Sequence, residues 1–244
     1  MRYWLLMPAA GSGSRFGANG PKQYAPLAGR TVIEWALAPF LADARCAHIV
    51  VALARGDSAW EQVAARLHAR DSTLTAVGGG AQRSQSVRLA LTGLEGRAGP
   101  DDWVLVHDAA RPCLDAHDLE RLLGELGTHP LGGLLAIPAT DTLKRAQSGA
   151  GTRAAVAQTL DRSGLWRALT PQMFRYRQLC TALDQAHAAG RFPSDEAQAL
   201  EWLGEHPALI EGAATNLKIT SGADLVLAAA VLAARRSQAV GGSS

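Results

Sequence analysis

The chain has 244 residues, a nearly balanced formal charge of +2 and three cysteines. That length allows one large α/β domain or two small ones, with a sizeable buried core. The charge balance provides no field for a nucleic acid or a membrane surface. Cys46, Cys113 and Cys180 form no C-x-x-C pair, which points to free thiols in a reducing cytoplasm. No apolar run is long enough to span a membrane, and no secretory pattern precedes the first apolar segment.

That first segment, Tyr3–Met7, reads as a buried strand. It opens into a loop with Gly11, Gly13, Gly17 and Gly20 and two cations, Arg15 and Lys22. Glycines lack Cβ atoms, so the backbone folds tightly and turns its N–H groups toward an anion, while fixed cations neutralise the rest. The spacing Gly11-x-Gly13-x-x-x-Gly17 is not the G-x-G-x-x-G of a dinucleotide site. Lys22 lies between Pro21 and Gln23, not in the G-K-[ST] of a P-loop.

A capping box at Thr31 and Glu34 predicts a helix to about Leu41, followed by a strand at His48–Leu53. Trp60–Ala69 reads as a helix and Thr73–Val77 as a third strand. The triple glycine Gly78–Gly80 then opens a helix at about Ser84–Leu94. Val104–His107 is the fourth strand, ending in the run His107–Pro112, HDAARP. Asp115–Leu126 is a helix and Leu134–Ile137 the fifth strand. Apolar strands joined by helical crossovers predict a Rossmann-like, mostly parallel sheet covered on both faces. Ligands in such sheets sit at the C-terminal strand ends, where all three unusual loops fall.

From Pro138 the alternation breaks. Ala139–Thr159 is polar, has Gly149 and Gly151 at its centre, and reads as an extended arm too poor in apolar residues to bury itself. Leu169–Gln172 reads as a turn around Pro171. Helices are expected near Tyr176–Ala189 and Asp195–Trp202, a strand at Ala208–Glu211, and a last helix at about Ala223–Arg235. No linker or internal repeat stands out, so residues 1–238 are expected to form one domain with an arm at 139–159. Residues 239–244 are expected to form a disordered tail.

Asp108, just past a buried strand, suits a divalent ion held against phosphate oxygens; the alternative is an ion pair with Arg111 or a turn cap before Pro112. His107 is expected to be a packed strand residue, since no nucleophile beside it needs a base. Ser86 can read a base edge, or its neighbour Ser84 can simply cap a helix. Ser194–Glu196 reads as a helix start, and Arg162 as a solvated charge. Lys218, within Leu217–Ile219, must snorkel or meet an anion.

The segments PAAGSGSR, PKQY, GGGAQRSQSV, VHDAARP, TLDRSGLWRALTPQ and TNLKIT, in this order, resemble the 2-C-methyl-D-erythritol 4-phosphate cytidylyltransferases of the non-mevalonate isoprenoid pathway. PKQY and HDAARP also resemble the ribitol 5-phosphate cytidylyltransferases, so they mark the class more firmly than the acceptor. The resemblance implies transfer of CMP from CTP to a polyol phosphate. It implies catalytic roles for Arg15 and Lys22, and CTP contacts from Ala9, Ala10, Gly11, Gly13, Gly79, Gly80, Ser86 and Asp108. It further implies Mg²⁺ at Asp108 and acceptor contacts from Arg111, Thr140, Arg162, Ser194 and Lys218, some of them from the partner in a homodimer joined through the arm. Three positions depart from the family's pattern: Thr215 and Ala81 stand where acids are common, and Ser194 where some members carry Thr.

Overall fold

A computed structural model describes residues 1–11, 20–67, 73–147 and 153–241, with side chains to 238. The chain opens with strand β1 (Tyr3–Ala9), a 3-10 turn at Lys22–Tyr24 and the short antiparallel pair β2 (Pro26–Leu27) and β3 (Arg30–Thr31). Alternation follows through α1 (Val32–Leu41), β4 (Cys46–Leu53), α2 (Ala59–Arg66), β5 (Leu74–Gly78), α3 (Arg83–Thr92), β6 (Trp103–Val106), α4 (Ala116–Leu126) and β7 (Gly132–Pro138). The arm is β8 (Lys144–Ala146) and β9 (Val156–Thr159). The chain closes with β10 (Trp166–Arg175), α5 (Tyr176–Ala188), α6 (Glu196–Glu201), β11 (Ala208–Glu211) and α7 (Gly222–Gly241).

Seven strands form one sheet in the order β11-β7-β10-β6-β1-β4-β5. All neighbours pair in parallel except β10, which runs antiparallel to both β6 and β7. The strict alternation of side chains along a strand splits the core into two layers. Leu5, Met7, Ile49 and Val51 face α1, α2 and α4, against Ile33, Phe40, Val63 and Leu122. Leu6, Val50, Val104 and Val106 face α3, α5 and α6, against Val87, Leu91, Leu183 and Leu200. Each such side chain, fully buried, contributes roughly 1.5–3 kcal/mol. A third cluster seats α7 through Ala228 and Leu232 on Leu27, Val32 and Ile219.

The capping box forms: the Thr31 N–H and hydroxyl both donate to Glu34 Oε2 at 2.6 Å. Two expectations fail. Leu169–Gln172 is not a turn but the buried middle of β10, with Gln172 paired to both β6 and β7. A proline removes a ladder donor and marks most strand interiors as broken. Here the register shifts between Ala168 and Gln172, so Pro171 falls at an irregularity that needs no N–H from it. The last helix also runs to Gly241, through residues expected to fray, while 242–244 lie outside the described residues. No helix among the described residues is long and apolar enough to cross a membrane.

Candidate active site

Strands β1, β4, β5 and β6 are parallel, so the loops that follow β1, β5 and β6 emerge on one edge. They enclose a cavity of about 180 Å³. Ala9, Ala10, Gly11, Lys22, Gly80 and Ser86 line it from one side. Asp108 and Lys218 close it from the other. Residues from positions 9 to 218 thus meet in one place, as the expected strand-end gathering requires. Arg15 and Gly13, expected on the phosphates, lie outside the described residues.

Two glycines allow the close approach. A Cβ on Gly79 would fall 2.5 Å from Ala10 Cβ and 2.9 Å from Ser86 Oγ, and one on Gly80 would fall 2.5 Å from Gln85 Cβ. Gly79 N–H donates to Leu53 O at 2.7 Å, which fixes the loop to the end of β4. Ser86 is buried; its hydroxyl accepts from Gly80 N–H at 3.1 Å and reaches Gln82 O at 3.2 Å. Gln23 ties the far end of the first loop to its start: its amide donates to Ala9 O at 2.8 Å and Gly11 O at 3.4 Å. Lys22 therefore leaves a backbone anchored beside β1.

Asp108 is the electrostatic centre. Its Oδ1 accepts from Arg83 Nε at 3.0 Å. Its Oδ2 lies 2.7 Å from Lys218 Nζ and 3.5 Å from Arg111 Nε. Burial by itself would raise this carboxyl, but the charges of Arg83, Lys218 and Arg111 outweigh it and hold Asp108 far below the usual carboxylate range. Arg111 faces this carboxylate as an ion pair, and Lys218, read as snorkelling or meeting an anion, meets the same one. Both oxygens thus face cations, and a metal held by Asp108 would share the carboxylate with them. Among the described residues no group of three His, Cys, Asp or Glu gathers that could hold an ion. The described residues offer one carboxylate here, already shared by three cations, so a divalent ion beside it would draw most of its ligands from substrate phosphates.

His107 is packed, as expected. Its Nδ1 meets Thr170 Oγ1 at 2.9 Å and its Nε2 meets Arg111 O at 3.0 Å. A carbonyl only accepts, so Nε2 carries the proton and Nδ1 accepts from the Thr170 hydroxyl, which in turn accepts from Asp108 N–H at 3.1 Å. Burial pushes the imidazole down to about 4, so it stays neutral.

A second cavity of about 140 Å³ shares Arg83, Asp108 and Lys218 with the first. Arg111, Thr170, Gln172 and Ser194 line its remaining wall. The five expected acceptor residues therefore divide. Arg111, Ser194 and Lys218 meet here. Thr140 and Arg162 do not: they stand exposed at the base of the arm, where Arg162 donates to Thr140 O. Thr215 lies on the surface, accepting from Arg235 Nη2 at 3.2 Å.

Several site residues were not legible as such. Thr170 and Gln172 were hidden in the misread strand. Glu196, read as part of a helix start, is fully buried and pairs with Arg83, Nη1–Oε1 2.6 Å and Nη2–Oε2 3.1 Å. Capping falls instead to Asp195, which accepts from Gln198 N–H at 3.0 Å. One signal was available for Glu196: with Ala199 and Leu200, at i+3 and i+4, it shares one buried helix face.

The family model for 2-C-methyl-D-erythritol 4-phosphate cytidylyltransferase matches residues 3–234. A protein of that description from Halorhodospira halophila is 51% identical over 236 residues, covering 96% of each chain. One from Pseudomonas fluorescens is 49% identical, covering 91% of this chain and 92% of its own. The solved structure of the Francisella tularensis 2-C-methyl-D-erythritol 4-phosphate cytidylyltransferase superposes with a TM-score of 0.79 at 32% identity, covering 95% of this chain and all of that one. With its strand-end cavity built from the motif residues, the chain belongs to the 2-C-methyl-D-erythritol 4-phosphate cytidylyltransferase family.

Proposed function

We propose that the chain transfers CMP from CTP to the phosphate of 2-C-methyl-D-erythritol 4-phosphate. The products are 4-diphosphocytidyl-2-C-methyl-D-erythritol and pyrophosphate, in isoprenoid precursor biosynthesis. The observation that carries the reading is the pair of cavities sharing one ionic wall, in a chain that matches this family over residues 3–234.

The nucleophile is an oxygen of the acceptor phosphate, already ionised at neutral pH, so no protein base is needed. This agrees with a neutral His107 whose two nitrogens are both engaged. The oxygen attacks the α-phosphorus of CTP, a new P–O bond forms, the bond to the β-phosphate bridging oxygen breaks, and pyrophosphate departs. Charge builds on the α-phosphate and the leaving group. Lys22, on its anchored backbone, and Arg15, in the same loop, neutralise it. A preorganised donor of this kind contributes roughly 3–4 kcal/mol, about 10²–10³ in rate.

The loop at Gly79–Ser86 takes the cytosine, and Ala9, Ala10, Gly11 and Gly13 underlie the phosphates. Arg111, Ser194 and Lys218 face the acceptor, with Lys218 shared between Asp108 and the incoming phosphate. Thr140 and Arg162, which line neither cavity of their own protomer, reach the acceptor across a homodimer joined by the arm. A divalent ion entering with CTP would neutralise charge on the triphosphate, with Asp108 as the carboxylate nearest to help hold it, in competition with Arg83, Arg111 and Lys218. One domain with an arm, working in the cytoplasm with the three thiols free, completes the reading.

Pyrophosphate release, measured with each nucleoside triphosphate against a panel of polyol phosphates, with and without Mg²⁺, tests it. CTP with 2-C-methyl-D-erythritol 4-phosphate is expected to give the highest kcat/KM, and only with the divalent ion. A higher value with ribitol 5-phosphate would overturn the acceptor assignment.

A further inference from the structure

Arg83, Asp108 and Lys218 form a common wall, each lining both cavities. Behind that wall stands Glu196, which lines neither cavity and is fully shielded from solvent. It takes both terminal nitrogens of Arg83, at 2.6 and 3.1 Å. The Nε edge of Arg83 is turned to Asp108 and reaches Oδ1 at 3.0 Å. Oδ2 is thereby left to Lys218 at 2.7 Å and Arg111 at 3.5 Å.

The placement of Glu196 is itself enforced. Gln172, on β10, accepts from Ala197 N–H at 2.9 Å and donates to Asp195 Oδ2 at 3.0 Å. The residues before and after Glu196 are thus both pinned to the central sheet. On the other side, the start of α3 is tied to α5 through Ser84 and His187, 3.0 Å apart. Bidentate pairing fixes the plane of a guanidinium as well as its position.

We propose that Glu196 is a positioning residue: by holding Arg83 from behind, it sets which oxygen of Asp108 faces Lys218 and so shapes the acceptor side of the wall. This rests on the cytidylyltransferase reading above. If Glu196 loses its charge, Arg83 is no longer held at both ends. It turns further onto Asp108 and competes with Lys218 for the carboxylate. Lys218 and Arg111 then lose their anchor on the acceptor side. On the nucleotide side, Gly80 and Ser86 are held to each other by the Gly80 N–H bond to Ser86 Oγ, not by the Arg83 side chain.

The test is a split between two binding parameters in Glu196→Gln, which keeps the shape and removes the charge. The KM for the acceptor is expected to rise at least tenfold, while the Kd for CTP, measured by calorimetry without acceptor, stays within threefold. Glu196→Asp, which keeps the charge on a shorter stem, is expected to recover part of the loss. A folded Glu196→Gln protein with an acceptor KM within twofold of wild type would overturn the proposal. So would parallel losses in acceptor and CTP binding that follow a fall in Tm, the mark of a purely structural role. Should Glu196→Gln fail to fold, Arg83→Lys serves: it keeps the charge but cannot span Glu196 and Asp108 together. The same split supports the proposal and equal effects refute it. Wild-type protein that does not turn over CTP and the acceptor would overturn the functional reading and the inference with it. Wild-type turnover without the split overturns the inference alone.

Discussion

Asp108 and the arm are opposite uses of polar residues in one chain. Around Asp108, charges from α3, α6 and the loop after β6 are buried or largely so, and half-buried Lys218 from the segment before α7 joins them, each tied to another. In the arm, β8 and β9 pair only with each other, every side chain in them is exposed, and Val156 keeps 59% of its surface in solvent. A buried charge is tolerated only when it is paired, so the first region is rigid and intolerant. A two-stranded ribbon with no covered face is at best marginal alone, so the second needs something else to rest on. The protomer therefore carries a packed ionic cluster shared by two cavities, and an arm at whose base Thr140 and Arg162 line neither of them.

The sharpest way to break this contrast is Asp108→Asn. It leaves Arg83, Arg111 and Lys218 around a neutral amide. Breaking a buried pair of this kind costs about 3–5 kcal/mol, so urea unfolding should shift by that amount. Unchanged stability would mean that the cluster is not an electrostatic unit. Next in size is Lys22→Ala. Its backbone anchor through Gln23 is untouched, so Tm should hold while kcat falls about 10²–10³-fold. Near-normal turnover in the folded variant would remove Lys22 from the transition state.

Acid titration sharpens the buried half. His107 is held at about 4 against an ordinary 6.5, so between those values the unfolded chain binds the extra proton. Stability from this group is complete above pH 6.5 and is lost as pH falls toward 4, by about 3 kcal/mol in all. Asp108, held low, adds a further loss only once pH drops below its unfolded value near 3.8. His107→Gln should flatten the slope of stability between pH 6.5 and 4; a wild-type protein with no slope there would contradict the buried neutral imidazole.

The smallest expected effect on the protomer is in the arm. Val156→Asp should change protomer stability by no more than about 0.5 kcal/mol, as exposed substitutions do. Sedimentation at micromolar concentration should nevertheless shift from dimer to monomer, and acceptor turnover should fall with it. A fully active monomer would show that the arm is not the joint.

Much of this was legible along the chain, for local reasons. Apolar runs and capping signals found the parallel units, because those elements are defined by near neighbours. The glycine loop, HDAARP and LKIT fell together because parallel strands send their loops to one edge. The rest was hidden for physical reasons of range. Pro171 and its polar neighbours look like a turn, and only the antiparallel slot between β6 and β7 makes Thr170 and Gln172 interior residues. Glu196 looks like an ordinary first-turn acid, and its partner Arg83 is 113 positions away. A long-range buried ion pair leaves no spacing to read.

The central claim, that the acceptor's own phosphate attacks the α-phosphorus of CTP at this site, is tested most directly by isotope transfer. The protein is given unlabelled CTP and 2-C-methyl-D-erythritol 4-phosphate carrying ¹⁸O in its phosphate, and the products are resolved by ³¹P NMR and mass spectrometry. The account predicts that the label stays in the cytidine diphosphate product, including its bridging oxygen, and that none enters pyrophosphate. Label in the released pyrophosphate, or orthophosphate in its place, would contradict it.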